Sequence, residues 1–178
     1  MASKGLIILN FVLILRILTL LFCVASIVLI VTNEFKYEGA RVKFTHVIAF
    51  RYILASGAVG LLYALIQIPF AFYHAYTQKR WIRDGYLHEF DFYGDKIVSM
   101  LLATGVGVGF GASAELKRLV DGIYVLIQLL KIPGFDVDEW RSNTNKFLNQ
   151  GILSTGLLLG AFTCMLALTI LTSKARSK

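Results

Sequence analysis

The sequence predicts an all-α, four-helix transmembrane bundle, and three observations predict it. Of the 178 residues, 57% are apolar and 16% charged, and the mean hydropathy is +0.68; soluble domains carry roughly 25% charge. Four apolar runs each reach the roughly 20 residues that cross a bilayer. None alternates as a strand would, and backbone in lipid must bond within its own segment, so each run is read as a helix. With two Pro and two Cys, the chain fits neither a Pro-rich linker nor a disulfide-stapled scaffold. One membrane domain over 1–178 is expected, with either an amphipathic extracellular helix or an extension of the third span added to it.

The first helix is expected over about 6–31, broken by Asn10 and Arg16. It outruns the apolar core of a signal peptide, roughly 7–15 residues, so it is expected to stay uncleaved. The others are expected over about 50–76, 92–114 and 152–171. The connection after the first carries Glu34, Lys36, Glu38, Arg41 and Lys43; the next carries Lys79, Arg80, Arg83, Asp84, Glu89 and Asp91. Four spans put both termini on one side of the membrane. Counting basic residues gives seven on that side and eight on the other, which does not orient the chain. The acid-free tail (Lys174, Arg176, Lys178) and the tight cluster Lys79, Arg80, Arg83 favour cytosolic termini. The +7 charge is then affinity for anionic lipid at helix ends, not a nucleic-acid footprint.

In the third connection, Leu116, Leu119, Val120, Ile123, Ile127 and Leu130 share a helical face, opposite Lys117, Arg118, Asp121 and Gln128. Pro133-Gly134 is read as its stop. The apolar part is too short to span. It either extends the third helix or lies in the interface, packing on the protein's own helix ends or presenting a face to a partner or lipid. The polar segment after it offers Trp140 and Phe147 as interfacial anchors.

Arg16 lies about ten residues into the first helix, about 15 Å deep at 1.5 Å per residue. An unpaired Arg there costs about 2.5–3.5 kcal/mol on insertion scales, so a buried carboxylate is expected beside it. Asp95, opening the third helix on the same side, is the expected partner; Asp91 competes but sits nearer water. The pair reads either as a lock on helix register or as part of a proton or ion path, to which Asn10, Gln67 and His74 would add. Arg51 and Glu115, both at the outer boundary, are a second candidate pair.

Helices in lipid gain from close backbone approach, which small residues allow. Gly105, Gly107, Gly109 and Gly111 put small surface on two opposite faces of the third helix. Gly156 and Gly160 mark the fourth, and Ser56 and Gly60 the second. One glycine face serves the bundle and the other an oligomer in this reading. No motif for catalysis, metal, haem or nucleotide is present; no catalytic residue, metal or cofactor is expected, and Cys23 and Cys164 read as packing residues.

Arg16 in the first helix, Arg51-Tyr52 opening the second, and Phe92-Tyr93-Gly94-Asp95-Lys96 followed by Leu101-Leu102-Ala103 in the third resemble the plant CASP-like proteins. These are relatives of the Casparian strip membrane domain proteins and, more distantly, of MARVEL-domain proteins. The resemblance implies a four-helix plasma-membrane protein with cytosolic termini, and carries the family's Arg and Asp onto Arg16 and Asp95. It implies no enzyme, but lateral self-assembly, as a homo-oligomer or with related proteins, into a scaffold that recruits cell-wall-modifying machinery. The extracellular or cell-wall partner is unknown. The chain departs from many members in having Trp140 but no Cys in the second extracellular loop, so no loop disulfide is expected. A small channel or transporter using the Arg16–Asp95 pair is the alternative.

Overall fold

The computed structural model describes the backbone of residues 2–37, 40–77, 86–130 and 137–176, and the side chains of 10–34, 43–72, 92–130 and 138–174. The helices are α1 (Ala2–Val31), α2 (Ile48–Thr77), α3 (Tyr86–Leu130) and α4 (Val137–Arg176). All four are long and apolar enough to cross a membrane, and the protein is a four-helix membrane protein. The helices pack in a ring: α1 touches α2 and α4, and α3 touches the same two, which leaves α1 and α3 diagonal. Phe50, Ile53, Leu102, Leu158, Met165 and Leu168 fill the middle.

Between α1 and α2 the chain forms an antiparallel hairpin of β1 (Glu34–Tyr37) and β2 (Ala40–Lys43), in a register that sets Glu34 opposite Lys43 and Lys36 opposite Arg41. A 3-10 turn, Phe44–His46, leads into α2. The sequence reading took this segment as a plain charged connection; its period-two pattern is short and carries charge on nearly every other residue. The hairpin is anchored to the bundle through Asn33, 1% exposed, whose Nδ2 donates to the Phe147 carbonyl at 2.9 Å.

Two segments read as connections are helical. α3 runs on to Leu130, so the amphipathic stretch extends the third span. α4 begins at Val137, so the polar segment before the fourth span is helix too. Its polar side chains bond across to α3: Arg141 Nη2 donates to Asp121 Oδ1 at 2.8 Å, Tyr124 Oη to Asp138 Oδ1 at 3.2 Å, and Lys117 Nζ to Asn149 Oδ1 at 2.7 Å. Phe147 is not an interfacial anchor. It is 4% exposed and packs on Phe50 with centroids 5.4 Å apart. The Pro133-Gly134 stop and the Lys79, Arg80, Arg83 cluster lie outside the described residues, as do the side chains of Lys4, His74, His88 and Asp91.

Candidate functional site

The polar centre of the bundle is built from three helices. Arg16 on α1 reaches diagonally to Asp95 on α3, with Nη1 3.4 Å from Oδ1 and Nη2 3.5 Å from Oδ2. The guanidinium fork faces the carboxylate edge-on, the geometry that sets Arg apart from Lys. Arg16 is 4% exposed and Asp95 0%. Neither charge has water to screen it, so each depends on the other.

A third member comes from α2. Tyr63 Oη donates to Asp95 Oδ1 at 2.7 Å, and Gln67 Nε2, one helical turn on, donates to Tyr63 Oη at 3.2 Å. The carboxylate thus takes an ion pair from one side and a hydroxyl from another, as a buried anion requires. Gly94 makes room for the tyrosine. A Cβ there would lie 2.7 Å from Tyr63 Oη and 2.8 Å from Cε2. Arg16 Nε is buried without a hydrogen-bond partner. The cluster ties α1, α2 and α3 together at one level and is neutral overall. Asn10, once a candidate contributor, is exposed. Tyr63 was missed in the sequence, where its four-residue spacing from Gln67 was the signal; Gly94 was named there only as part of the Phe92–Lys96 motif.

Arg51 and Glu115 are not brought together. Arg51 Nε turns back to the Thr45 carbonyl at 2.6 Å, and Glu115 Oε1 accepts from Arg118 at 3.2 Å. Each is satisfied within its own segment, so the expected boundary pair is not made.

The glycines divide by face. A Cβ on Gly105 would run into the Ser56 hydroxyl and one on Gly109 into the Thr155 hydroxyl. Gly60 sits against Leu102 and Cys23, and Gly160 against Phe22. Around Gly107, Gly111 and Gly156 a Cβ would meet nothing within 4 Å. Gly156 and Gly160 therefore do not act as one contact, whereas α3 carries a closed pair and an open pair. A further α1–α4 contact is polar: Ser26 Oγ donates to the Ser154 carbonyl at 2.9 Å and Ser154 Oγ to the Ser26 carbonyl at 2.8 Å. Cys23 and Cys164 are both free thiols and both buried.

These features define a polytopic membrane protein whose helices are held by a buried, hydrogen-bonded ion pair and by small-residue contacts. The Casparian strip membrane protein domain matches residues 8–119, a stretch that holds Arg16, Tyr63 and Asp95. The chain belongs to this family. It is 36% identical over 171 residues to CASP-like protein 4D1 of Ricinus communis, covering 93% of this chain and 90% of that one. It is 34% identical over 170 residues to CASP-like protein 4D2 of Arabidopsis thaliana, covering 93% and 89%. No solved structure matches it.

Proposed function

We propose that this protein is a non-enzymatic, plasma-membrane component that assembles laterally and organises a patch of membrane, linked to local modification of the cell wall. Both termini face the cytosol in this reading, and the hairpin side faces outward. The observation that carries it is the division of α3: Gly105 and Gly109 are used up inside the bundle, while Gly107 and Gly111 leave an open small-residue surface on the other side. Close helix approach in lipid uses such surfaces. Membership of the Casparian strip membrane protein domain family supports the same reading.

The Arg16–Asp95–Tyr63 cluster has a structural part here, keeping each copy rigid enough to present a fixed outer surface. Channel or transporter function would use the same cluster as a pathway. Its two charges are spent on each other and almost wholly buried, which favours the lock. The test is the size of the purified protein in nanodiscs across a concentration series. Assemblies larger than one chain are expected; a strictly monomeric particle at every concentration overturns the proposal.

A further inference from the structure

Lys96 is a further charge inside the span, and the Arg16–Asp95 lock does not use it. It follows the start of the apolar stretch at Phe92 by one helical turn, about 6 Å along the axis. Asp95, its neighbour in sequence, is fully buried and committed to Arg16 and Tyr63. Successive residues turn by about 100° on a helix, so Lys96 leaves α3 on a different side, toward α4. Its Nζ lies 4.0 Å from the centroid of the Phe92 ring, an attraction that holds the ammonium back near the membrane boundary.

There Lys96 borders an open cleft of about 410 Å³, whose other walls are Thr169, Ile170, Ser173 and Lys174 of α4. These four stand on one face of the last turns of α4, two adjacent residues and the two that lie four further on. The cleft thus sets two ammonium groups and two hydroxyls beside one aliphatic side chain, with no carboxylate in its walls. Among the described residues neither lysine has a carboxylate partner; the ion pairs are Arg16–Asp95, Arg118–Glu115 and Arg141–Asp121. Lys174, in the last turn of α4, suits the helix dipole. Lys96, well past the first turn of α3, has no such reason to be there. An ionisable side chain within a span marks a functional site, and its partner is to be sought.

Position and charge describe that partner. Lys174 closes the apolar stretch Asp138–Lys174, so the cleft opens at headgroup level, and Ile170, 59% exposed, lies on its hydrocarbon side. Two positive charges are matched by a dianion. A phosphomonoester carries a charge of about −1.5 to −2 at neutral pH, more than a diester, and lysine binds phosphate as a point charge. Thr169 spends its hydroxyl proton on the Met165 carbonyl, at 2.9 Å, so the hydroxyl that donates to a phosphate is that of Ser173.

We infer that this cleft binds the phosphomonoester headgroup of an anionic membrane lipid, the group that phosphatidic acid and the phosphoinositides carry, with Lys96 and Lys174 neutralising the phosphate from two helices and an acyl chain running beside Ile170. Basic pockets between membrane helices bind anionic headgroups on the cytosolic side, where the proposed orientation puts this one. Such a site lets a protein that organises a patch of membrane select the lipid of that patch. The binding itself requires neither self-assembly nor that orientation.

Native mass spectrometry of the full chain in detergent tests it, with titration of phosphatidic acid, a phosphatidylinositol monophosphate, phosphatidylserine and phosphatidylcholine. The two monoester lipids are expected to bind more tightly than phosphatidylserine, and phosphatidylcholine most weakly. K96Q and K174Q should each weaken monoester binding about fivefold, K96R/K174R should keep most of it, and K43Q/K146Q, which removes the same charge at the other end of the bundle, should leave it unchanged. Equal affinity for phosphatidylserine, or an equal loss in K43Q/K146Q, means general surface charge and overturns the inference. Displacement of the bound lipid by millimolar inorganic phosphate assigns the cleft to a free anion and also overturns it. Lys174 is exposed, so K174Q reads alone if K96Q does not fold, and binding at wild-type strength in K174Q overturns the site.

Discussion

Replacing Asp95 by Asn removes one charge from a site with no solvent to compensate. The side chain keeps its shape, so packing is little changed. Arg16, 4% exposed, is left as an unpaired buried cation. Breaking a buried pair on one side costs about 3–5 kcal/mol, and the Tyr63 hydroxyl, 2.7 Å from Oδ1, loses its charged acceptor, worth about 1 kcal/mol more. For a chain of this size each kcal/mol moves the melting temperature by roughly 2–4 °C, so the pair alone gives a drop of about 6–20 °C. The contrast is with R16M/D95N, which removes both charges and leaves Tyr63 an acceptor. Discharging both partners is often near neutral, so the double variant is expected to recover most of the loss. Thermal unfolding in detergent, followed by circular dichroism, reads both. The reasoning is refuted if D95N melts within about 2 °C of wild type, or if the double variant is no more stable than D95N alone. A well-folded D95N with altered ion flux in liposomes would instead favour the transport reading.

Tyr63→Phe keeps the ring and loses the hydrogen bond to a charged acceptor, a cost of about 1.5–3 kcal/mol, seen as a lower melting temperature. Gly94→Ala should displace the same tyrosine, so its cost and that of Tyr63→Phe are expected to be strongly non-additive in a double-mutant cycle. Gly109→Val should destabilise the single bundle by about 1–3 kcal/mol through overpacking against Thr155 and Ile53. Gly107→Ala should leave its melting temperature unchanged or higher, since Ala is the better helix former by about 1 kcal/mol, and should show its effect only in particle size. Ser26→Ala with Ser154→Ala is expected to reveal a coupling of about 0.6 kcal/mol in denaturation by titrated SDS, typical of interhelical hydrogen bonds in membranes.

The four spans were legible because hydropathy over 20 residues is a strong signal that nothing in the chain contradicts. The proximity of Arg16 to Asp95 was anticipated because a charge deep in an apolar run has few reachable counter-charges, and only Asp95 lay at a compatible depth. Tyr63 was not, because tyrosine is ordinary in a span and periodicity alone does not say which α2 residues face α3. The same ambiguity of phase explains Arg51 and Glu115: both sit at the boundary, but each finds a nearer partner on its own segment. Residues 137–150 looked like a loop because their composition is polar. They form helix because the neighbouring stretch of α3 offers Asp121, Tyr124 and Lys117 as hydrogen-bond partners, which no single-segment pattern reports. Of the predicted amphipathic face, Val120 is buried and Leu116 and Ile127 are half-buried, while Leu119, Ile123 and Leu130 are exposed, because only the narrow side of the helix against α4 is covered.

The 79-residue separation of Arg16 and Asp95 also sets an order of events at the ribosome. At about 5–20 residues per second, the first helix exists for roughly 4–16 s before its counter-ion is even synthesised. Its Leu, Ile, Val and Phe side chains, each favouring insertion by about 0.3–0.6 kcal/mol, outweigh one arginine and commit the helix to the bilayer alone. A nascent chain therefore waits with an unneutralised cation in the membrane until the third helix arrives, and any truncation before residue 95 leaves that cation permanently exposed to whatever surveillance inspects unassembled segments.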